Sequence, residues 1–430
     1  MKKNRLRNIL IIFSIAVVMC FLIIALLCMD EPPPKDDDLM PPPRAEIPDE
    51  ENAIYYFMQA AEKVDLPTDE KFDEMLFFDG PWDDELGREI LEKNTETFEL
   101  MEKGLACTSA LAPEFTAETL EPDFGRYRSP WRTILRLYLL RGRHHARNGR
   151  HREAFDEALK AVKFGAFLEN CRGGWLCFLT GAAIKGVGLA DIRDLLANTE
   201  LEPDALKACI PVLDSCRIDD KAMAANIRLE YGLYVQHIER ARSGKDQAVD
   251  QLGFPPPMRA YSFKPNKTKR MMAEACRTTL ANLNRKVCDQ APLGMSSELA
   301  PRMFFGPERS TLQKVRLCLT ENAAGKMIFT GAAYSLNGVL GAKCRDNDVI
   351  SATQIMIALK CHKLRTGALP QSLEELVPEY FEAVPTSEYD GGPIRYSSEE
   401  KKIYIKRKKP EVKLLEGEGA MTDMEIKIEF

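Results

Sequence analysis

The most distinctive charged feature of the sequence is an arginine-rich stretch in its first half. Residues 126–152 contain nine arginines and three histidines and no acidic residue. At 100° per residue, five of these arginines fall within about 60° of one another on one helix face; they are Arg132, Arg136, Arg143, Arg147 and Arg150. Guanidinium groups match the geometry of carboxylates and phosphates. This arginine stripe is therefore a candidate binding site for an anionic partner.

An acidic stripe upstream offers a second interpretation of the arginines. Carboxylates recur at helical spacing along a predicted helix at 83–107, at Glu85, Glu89, Glu92, Glu96 and Glu99. The two stripes either pair across adjacent helices or remain solvated. Surface ion pairs of this kind contribute only about 0–1 kcal/mol each, so they would set helix register more than stability. Both interpretations are open on the sequence alone.

The sequence does not indicate a metal, a cofactor or an assignable catalytic residue. His144 and His145 are adjacent, so they point about 100° apart on a helix and cannot share a metal from one face. HExxH and CxxC patterns are missing, and the nearby arginines would repel a dication. Signatures of serine hydrolases, P-loop proteins and dinucleotide enzymes are missing as well. A hydrolase with carboxylates scattered along the sequence is still an alternative.

The cysteines constrain where disulfides could form. Ten of the twelve follow the N-terminal apolar segment, which contains Cys20 and Cys28. On one helix, Cys209 and Cys216 would lie roughly 10 Å apart, beyond the ~7 Å limit for a bridge. Cys171 and Cys177 would face different sides of a helix. Any disulfide must then join different helices, and the alternative is a set of buried free thiols.

An apolar N-terminal segment precedes all of these residues. Residues 9–29 contain no charge and follow a short basic tail at 1–8. As a helix this segment spans about 31 Å, one hydrocarbon thickness. The basic flank predicts a single pass through a bacterial inner membrane, with the N-terminus cytoplasmic and the body extracytoplasmic. A cleaved signal peptide is the alternative, but its core normally runs about 7–15 residues and ends at small residues; lipidation of Cys28 also lacks the small residues it needs.

The remaining chain divides by composition into a stalk, a helical body and a C-terminal module. Residues 30–50 are rich in proline and acids and predict an extended stalk or a disordered linker. Residues 51–346 predict an α-helical body, with a split near 244–267. The predicted helices are 51–64, 83–107, 130–147, 151–169, 175–197, 203–215, 218–243, 268–290, 309–340 and 347–366.

One predicted helical hairpin has small residues at informative positions. Gly142, Ala154 and Ala161 would let two helices approach closely. The stretch ARNGRHREAFDEALKAV resembles part of a tetratricopeptide-repeat unit. No clear copy recurs 34 residues later, so an ordinary helical hairpin is the alternative.

The C-terminal module, residues 347–430, combines helix and strand signals. A short helix is predicted at Ser372–Val377, and strands are predicted near 393–397 and 402–407 with turn residues between them. Residues 424–430 alternate between apolar and polar and predict a third strand. The predicted fold class is mostly α, with a small α+β module at the end.

Part of this module resembles the globular part of the major pseudopilins of type II secretion systems. The resemblance covers about residues 351–405 and rests on Ala358-Leu359, Thr366-Gly367, Leu369-Pro370, Ser372-Leu373, Leu376-Val377, Pro385, Gly391 to Pro393 and Tyr396. A similar ending occurs in uncharacterised bacterial membrane-anchored helical proteins. The processed leader and early glutamate of pseudopilins are missing around Arg7 to Phe13, and no calcium site carries over.

These features favour a non-catalytic scaffold or partner-binding protein of the bacterial cell envelope. We expect the lipid bilayer as a partner of residues 9–29, and a protein partner for the body. The net charge of −6 argues against nucleic-acid binding. The alternatives are an envelope hydrolase and an accessory component of a type II secretion or pilus-like system.

Overall fold

The computed structural model describes residues 2–44, 46–67, 70–77, 81–114, 125–198, 201–243, 259–291, 293, 320–406 and 424–430. The described chain is mostly helical, with one small three-stranded sheet near the C-terminus. The predicted mostly α class, the N-terminal apolar helix and the small C-terminal sheet are therefore confirmed. The likeness of the body to tetratricopeptide hairpins stays a prediction.

Fourteen α-helices lie in the described ranges. In chain order they are α1 Lys2–Cys28, α2 Ala53–Lys63, α3 Glu70–Phe77, α4 Asp84–Lys93, α5 Thr95–Ala106, α6 Gly125–Arg147, α7 His151–Asn170, α8 Gly174–Asn198, α9 Pro203–Lys207, α10 Cys209–Asp214, α11 Asp220–Arg242, α12 Arg259–Ser262, α13 Pro265–Asn282 and α14 Ala323–Thr366. Short 3₁₀ turns occur at Asp37–Leu39, Asp49–Glu51, Val287–Asp289 and Leu373–Leu376.

Two predicted helices are each divided in the structure. The segment 83–107 breaks at buried Asn94, whose side chain donates to the Ile90 and Asp65 carbonyls at 2.9 and 2.6 Å. Such local amide bonds compete with helix continuation. The segment 203–215 breaks after Lys207. In a continuous helix the Pro211 ring would clash with the Lys207 carbonyl, four residues earlier.

Other boundaries also differ from the sequence prediction. The predicted helices 309–340 and 347–366 are one helix, α14, where 323–366 is described, and residues 309–319 lie outside the described residues. The helices α3 and α12 were not predicted, and α12 lies inside the expected loop 244–267. Residues 244–258 of that loop lie outside the described residues. The prediction missed the short helices because brief segments carry little periodicity.

The chain divides into two compact units, and the boundaries fall within α11, α13 and α14. The first unit comprises residues 1–40, 231–278 and 292–336. Its small core includes Ile238, Phe263 and Met327. Two of its lysines, Lys264 and Lys267, bind Glu321 at 2.7 and 2.9 Å. The first unit is thus held by ion pairs as well as by apolar packing.

Residues 30–40, the first half of the predicted stalk, contact helices of the first unit. Asp30 accepts hydrogen bonds from the backbone N–H groups of Asn266 and Lys267. Asp38 pairs with Arg277 at 2.7 Å, and Leu39 is fully buried. A freely extended spacer would make none of these contacts. The acids of this segment therefore bind basic and amide groups of the protein rather than only repelling one another.

The second unit comprises residues 41–230, 279–291 and 337–430, and α7 and α8 are its most closely packed helices. Two apolar cores meet at this pair. One contains α2, α6 and aromatic side chains such as Trp131 and Phe164. The other joins α8 and α10 to the second half of α14 and to the C-terminal sheet. The pair α7–α8 thus forms the centre around which this unit is built.

The C-terminal sheet has three antiparallel strands in the order β1 Arg395–Ser397, β2 Lys402–Ile405 and β3 Met424–Lys427. Ile403 of β2 lies opposite Tyr396 on one side and Ile426 on the other. Every second residue of β2 is buried, as expected for a sheet with one face on a core. The predicted third strand is confirmed in its first part, Met424–Lys427, and residues 407–423 lie outside the described residues.

Two described helices are long and apolar enough to cross a membrane. The first is α1, in which Ile11–Cys28 has a mean hydropathy of 3.2 and is not buried at all. The second is α8, but 56% of its span is buried inside the protein. We therefore treat α8 as a core helix and α1 as the candidate anchor.

Candidate functional site

The close approach of α7 and α8 depends on glycines that face each other. A Cβ added at Gly165 would lie 2.6 Å from the Gly181 carbonyl oxygen, and one at Gly181 would lie 2.5 Å from the Gly165 carbonyl oxygen. Both distances are shorter than any normal carbon–oxygen contact. The two backbones therefore touch at these positions. This contact fixes how the two helices lie against each other, and with it the positions of the polar side chains next to the glycines.

A buried ionic triad lies beside these glycines. Lys185 of α8 binds the carboxylates of Glu169 on α7 and Asp346 on α14, and it also donates to the Cys216 carbonyl at 3.0 Å. Lys185 and Glu169 are fully buried, and Asp346 is nearly so. Burial raises the pKa of both acids, with that of Glu169 well above its usual range. Two carboxylates share one lysine, so one of the two acids favours its protonated form.

The charge on Lys185 survives its burial. Desolvation alone would lower the pKa of Lys185, but the Glu169 and Asp346 carboxylates outweigh it and raise the pKa. The side chains of Lys185 and Glu169 have no exposed surface and that of Asp346 is 8% exposed, so the triad is shielded from solvent. A buried pair of this kind specifies which helices meet rather than performing chemistry on a ligand.

The turn that joins α7 to α8 has an unusual backbone. Arg172 has a φ of 55° and Gly174 a φ of 68°, both in the left-handed region. Gly174 tolerates this conformation, but for an arginine it is uncommon and costs free energy. Such strain persists only where surrounding contacts impose it, and it is concentrated at functional sites.

Two side chains of α11 hold this turn from outside. Asn226 accepts a hydrogen bond from the Gly174 backbone N–H at 3.2 Å, and Glu230 accepts one from the Trp175 backbone N–H at 2.7 Å. They are one helical turn apart, so both face the start of α8. Asn226 also donates to the Glu169 carbonyl at the end of α7. The first N–H groups of α8 are thus capped by another helix.

A second segment reaches the same turn from the N-terminal side of this unit. Asn52 caps α2 and exchanges two hydrogen bonds with the Leu111 backbone, both at 2.9 Å. The next residue, Ala112, donates its backbone N–H to the Cys171 carbonyl at 2.8 Å. The segment around Leu111 is therefore fixed between the start of α2 and the α7–α8 turn.

A polar cavity of about 250 Å³ lies where these elements converge. It is lined by Ile47, Ser109, Ala110, Leu111, Asn170, Arg172, Asp219 and Ala222. Drug-sized ligands and cofactors occupy roughly 300–1,000 Å³. The cavity is thus large enough for an acidic side chain or a chain terminus but small for a cofactor. We refer to it as the α7–α8 turn pocket.

Two arginines give the α7–α8 turn pocket its positive character. Arg172 lines it, and Arg44 lies within electrostatic range of Arg172. Partial desolvation and the Arg172 charge lower the pKa of Arg44, against Glu114, which raises it. Within the described ranges, neither guanidinium forms a hydrogen bond with another residue. Two guanidiniums within electrostatic range of each other, neither hydrogen-bonded to another described residue, attract an anion, although Glu114 already offsets part of the Arg44 charge.

The one acid in the wall of the α7–α8 turn pocket is already engaged. Asp219 precedes α11 and accepts hydrogen bonds from the backbone N–H groups of Lys221 and Ala222, at 3.1 and 3.2 Å. Its own backbone N–H donates to Asn170 at 3.1 Å. Asp219 therefore acts as a helix cap, and it uses both carboxylate oxygens in doing so.

The predicted arginine stripe lies on α6, away from the residues that line this pocket. Arg132, Arg147 and Arg150 are exposed, and Arg136 and Arg143 are half-buried. Arg143 donates to the Met75 carbonyl at 3.3 Å, and Arg147 lies 5.3 Å from the centre of the Trp82 ring. The structure does not test whether the stripe binds an anion, so that assignment stays a prediction.

Arg143 also faces an acid that the sequence analysis did not single out. Burial raises the pKa of Asp191 on α8 to about 7, while Arg143 opposes this shift and Asp194 adds to it. The Asp191 carboxylate reaches Gly142, where an added Cβ would lie 3.9 Å from its oxygen. The predicted close approach at Gly142 is observed, since the same Cβ would lie 3.5 Å from the Ala154 carbonyl.

The acidic stripe has partners other than the arginine stripe. Glu89 pairs with Lys93 within α4, and Glu96 pairs with Lys63 of α2. The arginine that pairs most closely with acids is Arg141, just off the predicted stripe. It binds Glu157 and Glu102 and lies 3.7 Å above the Phe98 ring. Helical periodicity did not single out Arg141, and the stripe as a binding site stays a prediction.

The histidines and acids of the described ranges form no group of three that could hold a metal ion. Burial and neighbouring arginines lower the pKa of His145 to about 4, so this ring is neutral at neutral pH.

The sequence analysis missed Arg172, which lines the pocket, and Arg44, because the two residues are far apart in sequence. The sequence signal for this site was weak. The double glycine after Arg172 indicated a turn, but no sequence pattern linked this turn to Arg44.

Comparison with known proteins adds no relative to this description. No protein family, curated protein or solved structure matches the chain.

Proposed function

We propose that the protein is a membrane-anchored, non-catalytic partner-binding protein whose α7–α8 turn pocket takes an anionic group of its partner. The observation that carries this proposal is Arg172, which lines the pocket without a hydrogen bond to another described residue and has Arg44 within electrostatic range. A carboxylate between them would gain charge-assisted hydrogen bonds from both sides. The strained backbone of Arg172 is then maintained for binding rather than for stability.

The chemistry of the pocket favours binding over hydrolysis. A hydrolase of the type considered from the sequence needs two facing carboxylates beside a substrate cavity. Asp219 is the sole acid lining the described pocket, and its oxygens cap α11. Glu169 and Asp346 are buried around Lys185, and the interacting pair Asp191 and Asp194 does not line the pocket. The site thus has groups to hold an anion but no described groups to cleave a bond.

The proposed location follows from the apolar helix and its flank. We propose that α1 crosses a bacterial inner membrane once, with the basic residues at its start in the cytoplasm and the chain after α1 outside. The exposed apolar surface of Ile11–Cys28 and the basic start of α1 support this orientation. An extracytoplasmic partner with an acidic segment is then the expected ligand class.

Binding of an acidic peptide tests this proposal directly. The full chain in detergent micelles is titrated with a fluorescent peptide of alternating Asp and Glu, and with its Asn/Gln counterpart. We expect binding of the acidic peptide only. Arg44→Gln and Arg172→Gln should each weaken it about tenfold or more, since a hydrogen bond to a charged group contributes roughly 1.5–3 kcal/mol.

The arginine stripe supplies the matched control. Arg132→Gln and Arg150→Gln remove equal charge at exposed positions of the same unit, so the pocket proposal predicts little change. If these variants lose binding while Arg44→Gln and Arg172→Gln retain it, the anion site lies on α6 instead. If neither peptide binds the wild-type chain, the proposed function is wrong.

An accessory role in a type II secretion or pilus-like system is a second proposal, which the resemblance of residues 351–405 favours. The small sheet beside the end of α14 is compatible with it. Affinity purification of the full chain from its own membranes tests this idea. Recovery of a secretion ATPase and a secretin supports the accessory role, and their absence from the purified material contradicts it.

A further inference from the structure

Two thiols meet at the turn between α7 and α8. Cys171 follows the last residue of α7, and Cys177 lies in the first turn of α8. Both sulfurs lie against Gly173, and Cys171 also donates to the Leu168 carbonyl at 3.1 Å. Both side chains are buried. The expectation that these cysteines face different sides of one helix is wrong, because the chain reverses between them.

The backbone of the turn leaves space for the pair of sulfurs. A Cβ added at Gly173 would lie 2.2 Å from Cys177 Sγ and 3.1 Å from Cys171 Sγ. Both sulfur atoms therefore lie against Gly173, where a larger residue would place its Cβ. The left-handed conformations of Arg172 and Gly174 on either side produce the reversal that brings them together.

Other described cysteines lack such an arrangement. Cys209 and Cys361, each on a different helix of the same unit, direct their thiols to the Ala205 and Pro203 carbonyls, at 3.3 Å in both cases. Cys344 is buried in α14, and Cys288 is exposed. The pair at the turn is distinguished because both sulfurs lie against Gly173, within a short segment whose backbone reverses. Cys209 and Cys361 also lie within electrostatic range of each other, but they are on separate helices. Two sulfurs held close together are what disulfide geometry requires.

We propose that Cys171 and Cys177 are the site of a disulfide, formed by exchange with a small-molecule or protein disulfide. The thiolate of one cysteine attacks the oxidant and releases one of its two thiols. The thiolate of the second cysteine then attacks the mixed disulfide, which forms the Sγ–Sγ bond and releases the other thiol. The two thiol hydrogens are thereby transferred, and the oxidant disulfide is reduced to two thiols.

Burial of both sulfurs determines when this exchange occurs. Buried thiols are shielded from attack in the folded chain, so exchange takes place while the turn is still open during folding. In the oxidising space that the proposed topology implies, oxidants of this class are present. The bond would close the loop that presents Arg172 to the α7–α8 turn pocket. Formation of the bond in vitro is independent of both the topology and the anion-binding proposal.

The sequence provides a clear assay, because Arg172 lies between the two cysteines. The full chain is unfolded in urea with reductant and refolded into detergent with oxidised and reduced glutathione. Free thiols are then blocked with N-ethylmaleimide, and the protein is digested with trypsin without reduction. Cleavage after Lys163, Arg172 and Lys185 yields peptides 164–172 and 173–185. They stay together only if the disulfide has formed.

We expect the two peptides as one linked species, lighter than their sum by two hydrogen atoms and separated by reductant. The linked form should also have a higher Tm than the reduced chain, and Cys171→Ser should abolish this difference. Cys344→Ser, which removes a buried thiol elsewhere in the same unit, should leave the linked pair unchanged. Recovery of both peptides with N-ethylmaleimide or glutathione on each cysteine, or linkage of either to a third cysteine, would overturn the proposal.

Discussion

Glu230 accepts the backbone N–H of Trp175 at 2.7 Å, so a side chain of α11 caps the first turn of α8. A carboxylate at a helix N-terminus is stabilised by the helix dipole. Burial opposes this effect and dominates it, because the pKa of Glu230 is raised to about 7, and the Trp175 hydrogen bond only partly offsets the shift. The turn below the α7–α8 turn pocket is therefore held by an acid that titrates near neutral pH.

The first prediction concerns the pH dependence of stability. Glu230 has an ordinary pKa of 4.5 in the unfolded chain and about 7 in the folded chain. Between these values the folded state binds more protons than the unfolded state, so stability falls as pH rises, by about 3 kcal/mol in all for this group. Glu230→Gln keeps an acceptor for Trp175 and removes the titration. Its free energy of unfolding should fall less than that of the wild type between pH 4.5 and 7.

Urea unfolding at a series of pH values measures this difference. Glu99→Gln, at an exposed position of α5, is the control for losing one negative charge. Parallel pH profiles for the wild type and Glu230→Gln would show that Glu230 is ionised throughout and would contradict the assigned pKa.

The second prediction concerns the buried triad. Lys185→Met leaves Glu169 and Asp346 buried without their shared cation, which should cost about 3–5 kcal/mol of folding free energy. Replacing all three residues by Leu or Met should recover most of this loss, since an apolar cluster of similar volume needs no charge pairing. Urea denaturation of the three proteins checks both statements.

An exposed ion pair provides the control for the triad. Lys63→Met breaks the pair with Glu96, in which both side chains are more than half exposed. Such a pair contributes about 0–1 kcal/mol. If Lys185→Met costs no more than Lys63→Met, the triad does not determine how these helices meet.

The third prediction concerns the glycines between α7 and α8. Gly165→Ala places a methyl group 2.6–2.7 Å from backbone atoms of Gly181 and Lys185, which cannot move aside independently. We expect a loss of about 1–3 kcal/mol or more from this overpacking. Gly186 lies in the facing helix α8 with nothing within 4 Å of an added Cβ, so Gly186→Ala should stabilise the chain by up to about 1 kcal/mol through helix propensity.

Thermal unfolding of the two alanine variants tests this contrast. Gly165→Ala should lower Tm and Gly186→Ala should raise it. Equal shifts for the two variants would mean that the backbones of α7 and α8 are not in contact at Gly165.

The fourth prediction concerns the proposed anchor. The full chain should sediment with membranes and resist extraction at alkaline pH, because α1 exposes an apolar span over Ile11–Cys28. A variant that starts at Met29 should remain in the soluble fraction, and a reporter fused after Phe430 should be active only outside the cytoplasm. Alkaline release of the full chain, or a reporter active in the cytoplasm, would contradict the topology.

The sequence pattern was sufficient to predict those elements whose apolar periodicity is set by neighbouring residues. The apolar run of α1, the helical periodicity of α7 and the alternation of β2 and β3 each repeat over neighbouring residues. The bounds of α7 and β2 were predicted closely, whereas α1 begins at Lys2 rather than at the predicted 9 and β3 ends at Lys427 rather than at the predicted 430. Errors occurred where a single side chain decides a boundary. Asn94 ends α4 through its own hydrogen bonds, and α3 has too few residues to show a helical periodicity of apolar residues.

The candidate site could not be predicted, because its parts are distant in the chain. Asp346 meets Lys185, Glu230 meets Trp175 and Arg44 approaches Arg172 only after several helices have packed. Even the nearby Cys171 and Cys177 were misplaced, since their contact depends on backbone angles at the turn between them. The sequence by itself determined most of the helical segments and the uncharged apolar run of α1, because those properties depend on neighbouring residues. Only the tertiary structure decided which charges are buried, paired or left without partners, because desolvation and Coulomb energy depend on distances that packing sets.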